Sequence, residues 1–125
     1  MKQVTRNIDP DKARDLLERV PRACLTYVGN HGPLAQPIVF LWRDGRYLAG
    51  IPEDAEPHPV PEQEVVLLID EGIYFFDLRA MYIRGRVRTA DSPLGAPAGY
   101  RWFEVMPLKA VAWDYGTLRE VSDEH

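Results

Sequence analysis

Three arginines at alternate positions, Arg84, Arg86 and Arg88, concentrate one chemistry more densely than any other stretch of the chain. In a strand, that period of two places all three side chains on one face. Three guanidinium groups in a row repel one another unless something anionic stands opposite. Solvent exposure of the face would relieve the repulsion without a partner, and two kinds of anion would also serve. One is the phosphate of a cofactor or substrate; the other is the chain's own acids, Glu104 or those between positions 53 and 64. The histidines offer less. His31 sits in a turn-like Gly29-Asn30-His31-Gly32 cluster, His58 lies between two prolines, and His125 ends the sequence. No partner at metal-ligand spacing accompanies them, so they are expected in exposed loops and no metal site is expected. Cys24 opens an apolar run without a basic neighbour to make it a thiolate, which suits a small buried hydrophobe. No Ser/His/Asp signature and no phosphate-cradling glycine loop is present, so no catalytic residue is named. Trp42, Trp102 and Trp113 suit the lining of a ligand cleft, although packing in a core or a subunit interface is the commoner use of such rings.

The counterpart of the arginine face is an acidic stretch. From Tyr47 to Leu78 there is no Lys or Arg, against eight Asp or Glu. Within it, Gly50–Glu64 carries Pro52, Pro57, Pro59 and Pro61, which exclude a helix. Its composition predicts a stiff, solvated connection.

The elements that must position these residues follow from periodicity and punctuation. One helix is expected over about 9–20: Asp9 caps it, Pro10 takes the first helical position, and Ala13, Leu16, Leu17 and Val20 recur on one face. Pro21 stops it. Strands are expected at 23–28, 34–42, 47–51 and 64–70, with a short one at 73–78. Pro37 marks an edge or bulge in the second. Arg43-Asp44-Gly45-Arg46 is a hairpin turn of Asp-Gly type. From Met81 to Arg88 the alternation is clean, with Met81, Ile83, Gly85 and Val87 facing away from the arginines. Asp91–Gly99, rich in Pro and Gly, is a loop. Two closing strands, 101–106 and 108–115, are expected to be separated by Pro107. The first puts Trp102, Glu104 and Met106 on one face and Phe103 and Val105 on the other.

Short connections without intervening helices imply antiparallel pairing. The expected fold is mainly β, a six- to seven-stranded antiparallel split β-barrel with one N-terminal helix, in a single domain over 1–125. The barrel runs from about 22 to 116, with a short C-terminal tail at 117–125. At 125 residues such a domain has a sufficient core without metal or disulfide staples. A net charge of −4 argues against nucleic acid as a partner. A single cysteine excludes an internal disulfide and fits a reducing, cytoplasmic setting. No apolar run approaches the ~20 residues of a membrane helix, and no membrane partner is expected.

The order of these elements resembles that of the FMN-binding split-barrel family of pyridoxamine 5'-phosphate oxidase and its relatives. The residues that carry it are Leu16-Leu17, Ala23–Gly29, Gly32–Leu48, Val65–Asp70, Ile83–Val87, Trp102–Val105 and Val111–Gly116. The likeness spans about Asp9 to Gly116. It implies a homodimer with two flavins in clefts between subunits. FMN is the usual cofactor; some members use a deazaflavin and a few bind haem. Its typical chemistry is hydride transfer to or from a small oxidisable ring, carried by the flavin. Pro37, Ile38 and Val39 correspond to the strand whose backbone faces the flavin ring. Arg84 and Arg86 are candidates for the phosphate and Trp113 for the cleft wall. One departure stands out. The family's phosphate grip lies after the strand equivalent to 47–51, in a hydroxyl-rich loop bearing Lys or Arg. Here that place is the acidic segment Gly50–Glu64, which has no Lys, Arg, Ser or Thr. Two functions therefore stay open: an oxidoreductase using FMN or a deazaflavin at the dimer interface, or a cofactor-less homodimer with a binding or structural role.

Overall fold

The computed structural model of the chain describes residues 3–117 and 119–121. Strand β1 is Gln3–Thr5 and β2 is Asn7–Ile8. Asp9 then caps as its position suggests, its Oδ1 accepting from the Asp11 amide at 3.0 Å. The chain enters a 3₁₀ turn at Pro10–Ala13 and continues as the α-helix α1, Arg14–Arg19. The expected helix is therefore present, with a tighter first turn. Its apolar stripe, Ala13, Leu16, Leu17 and Val20, is buried.

Six long or middle-length strands make the barrel: β3 Arg22–Gly29, β4 Gly32–Arg43, β5 Arg46–Pro52, β6 Glu64–Glu71, β7 Arg79–Thr89 and β8 Tyr100–Asp114. The order is β8-β5-β4-β3-β6-β7, and β7 returns to β8, so the antiparallel sheet closes on itself. β2 adds one strand along β8. β9, Arg119–Val121, pairs with β1, so the tail expected at 117–125 contains a strand; residues 118 and 122–125 lie outside the described part. Asp44 and Gly45 both have positive φ, 54° and 72°, the type I′ geometry that a two-residue hairpin between right-twisted strands requires.

The core is the inner face of the alternation: Leu25, Phe40, Ile51, Leu67, Ile69, Ile83, Phe103 and Val105, closed at one end by the α1 stripe. The burial of Trp102 (3% exposed) has a different origin. With Leu48 and Glu104 it stands on the outer face of β5 and β8, outside the core cluster. The segment 90–99 crosses this face. The Ala90 amide donates to Trp102 O at 3.0 Å, and Arg43 Nη1 donates to Leu94 O.

Two expectations are corrected. Residues 73–78 are not a strand. β6 and β7 pair directly from Glu71↔Arg79, and the residues between them form the turn. Gly72 turns at φ +124°, Asp77 Oδ1 accepts from the Tyr74 amide at 2.8 Å, and Phe75–Asp77 form a 3₁₀ turn. Pro107 does not separate two strands either. β8 runs through it as one strand with a bulge opposite Arg84/Gly85, where the register steps from Lys109 to Pro107. A bulge accommodates a residue without an N–H. Gly85 permits the close approach, because a Cβ there would lie 2.3 Å from Met106 O.

Candidate functional site

The β4–β5 ladder extends only from Arg43↔Arg46 to Val39↔Gly50, whereas β5 stays paired with β8 as far as Pro52↔Tyr100. Residues 32–38 of β4 thus pair with β3 alone. On the β5 side their backbone is an open edge, and a residue without an N–H, Pro37, is accommodated there. The divergence leaves a groove of about 230 Å³ lined by Pro37, Ile38, Val39, Pro52 and Tyr100. Three of the residues singled out from the sequence are therefore together. Pro52 and Tyr100 carry no local signal for this site; they meet the others only through strand register.

Arg84, Arg86 and Trp113 lie elsewhere. All three are on the outer face of β7–β8, and β7 is three strands from β4 in either direction around the barrel. Within one chain they do not share a ligand with the groove. Arg84 Nε is 3.4 Å from Glu64 and Arg88 Nη2 is 3.5 Å from Glu104, so the chain's own acids answer two of the three arginines. Arg86 pairs in register with Glu64 and Met106 across its two neighbouring strands. Glu104 is the best enclosed carboxylate among the described residues, 7% exposed, and Arg46 grips it at 2.9 Å. The Arg46 hydrogen bond, with help from Arg88, holds Glu104 below the usual carboxylate range despite its burial. Trp113 packs against Tyr82 with ring centroids 5.6 Å apart.

The acids of the segment, Glu53, Asp54, Glu56 and Glu62, are exposed as a solvated connection requires, and the segment is in addition tied to the barrel. Tyr27 donates its hydroxyl proton to Pro57 O at 2.5 Å and accepts from Gln36 Nε2 at 2.8 Å. Burial pushes the Tyr27 phenol up, which keeps that proton in place. Gln63 Nε2 donates to Val28 O, the Glu62 amide donates to Val87 O, and the Glu53 amide donates to Gly99 O. His58 is half-buried, stacked on Phe103 of the core at 6.3 Å, with Nε2 3.0 Å from Pro52 O. The segment is a strap across one mouth of the barrel. Beside it lies a larger pocket of about 710 Å³, open to solvent and lined by the β3–β4 turn, the strap and Arg101. Among the described residues no group of His, Cys, Asp and Glu could hold a metal ion.

The flavin implied by the resemblance can be tested against these residues. An apolar groove with a tyrosine at its rim and an unpaired strand edge suits a planar heteroaromatic ring. The phosphate does not fit where the resemblance places it: Glu53, Asp54 and Glu56 follow β5 there, and Arg101 faces the barrel mouth alongside Ile51 instead.

Known structures share this architecture. The fold is a split barrel. An FAD-binding protein from Mycobacterium smegmatis superposes with a TM-score of 0.68 at 16% identity, over 91% of this chain and 97% of that one. A putative pyridoxamine 5'-phosphate oxidase from Corynebacterium glutamicum gives 0.63 at 12%, over 87% and 90%. The haem storage protein HutZ from Vibrio cholerae gives 0.62 at 10%, over 83% and 93%. No protein-family model matches the sequence, and no curated protein does. Identities this low establish the split barrel and leave its ligand to be argued from residues.

Proposed function

We propose that this split barrel binds a flavin-class cofactor, FMN or a deazaflavin, by its ring and serves as an oxidoreductase. The observation that carries the reading is the open β4 edge at Pro37–Ile38, faced by Pro52 and Tyr100. Structural neighbours whose names state FAD binding support it. A flavin held there would supply hydride-transfer chemistry; the chain would hold the ring and exclude water from one face. The acids after β5 oppose a phosphate dianion, so binding is expected to rest on the ring.

The working form is proposed to be a homodimer. Ile73, Tyr74, Phe75 and Phe76 are exposed by 90%, 62%, 70% and 68% on one turn. Contiguous apolar surface of this kind marks association surfaces rather than ordinary monomer surface. A second reading, a cofactor-less dimer with a binding role, is favoured by the strap, which occupies the place of the phosphate grip with carboxylates.

Visible absorbance of the purified protein, followed by fluorescence titration with FMN and with a deazaflavin, tests the first reading. Saturable binding of either supports it. A colourless protein that saturates with neither leaves the second reading.

A further inference from the structure

The cavity at the barrel mouth is separate from the groove. Arg101 and Ile51 are register partners, as are Tyr100 and Pro52, and alternation sends the two pairs to opposite faces of the β5–β8 ladder. The groove lies on the Tyr100 side and the mouth on the Arg101 side. About 710 Å³ falls within the ordinary range of small-molecule sites. Its walls are tied rather than loose: the Tyr27–Pro57, His58–Pro52 and Glu53–Gly99 hydrogen bonds hold the strap in place. Its apolar surface comes from Pro33, Leu34, Ala55 and Pro57, with Leu34 and Ala55 packed on the core.

The charges are what distinguish it. Most described arginines have an acid, a carbonyl or an aromatic ring as partner. Arg101 makes no such contact in the structure, although Glu53 and Glu56 line the same cavity. Neither carboxylate makes an ion pair within 4.0 Å. One cation and two anions, all exposed, therefore line a common, partly apolar pocket without pairing with one another. A simple anion would meet Arg101 and be repelled by two carboxylates; a simple amine would meet two carboxylates and leave Arg101 unanswered. A molecule carrying both charges at its two ends satisfies every pole.

We propose that the barrel mouth binds a zwitterion with a carboxylate and an ammonium separated by an apolar body, a short apolar peptide being the fitting class. Arg101 takes the carboxylate through its forked donors. Glu53 and Glu56 take the ammonium, and Leu34, Ala55 and Pro57 take the hydrocarbon.

The test is an NMR titration of the full chain with the dipeptide Ala-Leu, its N-acetyl form and its C-terminal amide. Ala-Leu is expected to shift residues 30–34 and 53–58 saturably, and blocking either end should weaken binding about threefold, the scale of an exposed ion pair. In Arg101→Gln the amide and the free dipeptide should bind alike. In Glu53→Gln/Glu56→Gln the N-acetyl and free forms should bind alike. These side chains are at the surface, and an unchanged thermal transition confirms that the variants fold. Absence of saturable shifts up to millimolar peptide overturns the proposal. So does equal affinity of N-acetyl and free peptide for the unsubstituted protein.

Discussion

Tyr27→Phe removes one oxygen and should loosen the strap that closes the barrel mouth. The hydroxyl joins three elements, with β3 supplying the tyrosine, β4 supplying Gln36 and the strap supplying Pro57 O. Tyr27 is 2% exposed, so phenylalanine keeps the packing and deletes only the polar links. Two hydrogen bonds are lost, and Pro57 O and the Gln36 amide must seek water at a partly buried site. The cost for such an unsatisfied pair is about 2 kcal/mol. For a domain of this length that corresponds to a fall of about 6–10 °C in Tm. Scanning calorimetry measures it, and amide exchange localises it. The Ala55 amide, bonded to Pro52 O, and the Val60 amide, bonded to Gln63 Oε1, should exchange faster, while β6–β7 amides keep their relative protection. A Tm within about 1 °C of the parent, with unchanged exchange in 53–63, would refute the view that this hydroxyl holds the strap.

Other expectations follow from the same geometry. Gly85→Ala pushes a methyl against Met106 O at the bulge, and chemical denaturation should show a loss of about 3 kcal/mol or more, beyond ordinary overpacking because backbone must move. Asp15, Glu71 and Glu104 are held below the usual carboxylate range by Arg79, Arg19 and Arg46 respectively. The unfolded chain takes up protons at these groups before the folded one does. Stability measured against pH should therefore be complete above about pH 5 and decline as pH falls through the ordinary carboxylate range and below. A flat profile from pH 6 to 3 would contradict those pairings. The proposed homodimer should sediment as a dimer and Ile73→Asp with Phe75→Ser as a monomer; a monomeric parent would refute the dimer, and an unchanged dimer would place the interface elsewhere.

Much of the barrel is legible in local chemistry. Asp9-Pro10 announces the helix start, Asp44-Gly45 the hairpin, and the alternation from Met81 to Arg88 the outer and inner faces of β7. The failures have physical causes. Ile73–Phe76 is apolar enough to read as a strand, but the residues are exposed in a turn, and composition does not report burial. Pro107 breaks a regular ladder yet is accepted by a bulge whose other half, Gly85, is distant in sequence. The strap's solvated acids are legible in its composition, whereas its tethers come from Tyr27, Val28 and Val87, which local composition cannot register. The groove was half legible. Pro37–Val39 could be placed from the likeness to known split barrels, whereas Pro52, Tyr100 and Arg101 enter through pairing between β5 and β8.

The most direct test of the central claim compares riboflavin with FMN in equilibrium fluorescence titrations of the same protein. With the ring held at Pro37–Val39, Pro52 and Tyr100 and acids after β5, riboflavin should bind saturably and at least as tightly as FMN. An FMN affinity tenfold or more above that of riboflavin would reveal a phosphate grip and contradict the account, as would the absence of saturable binding by both.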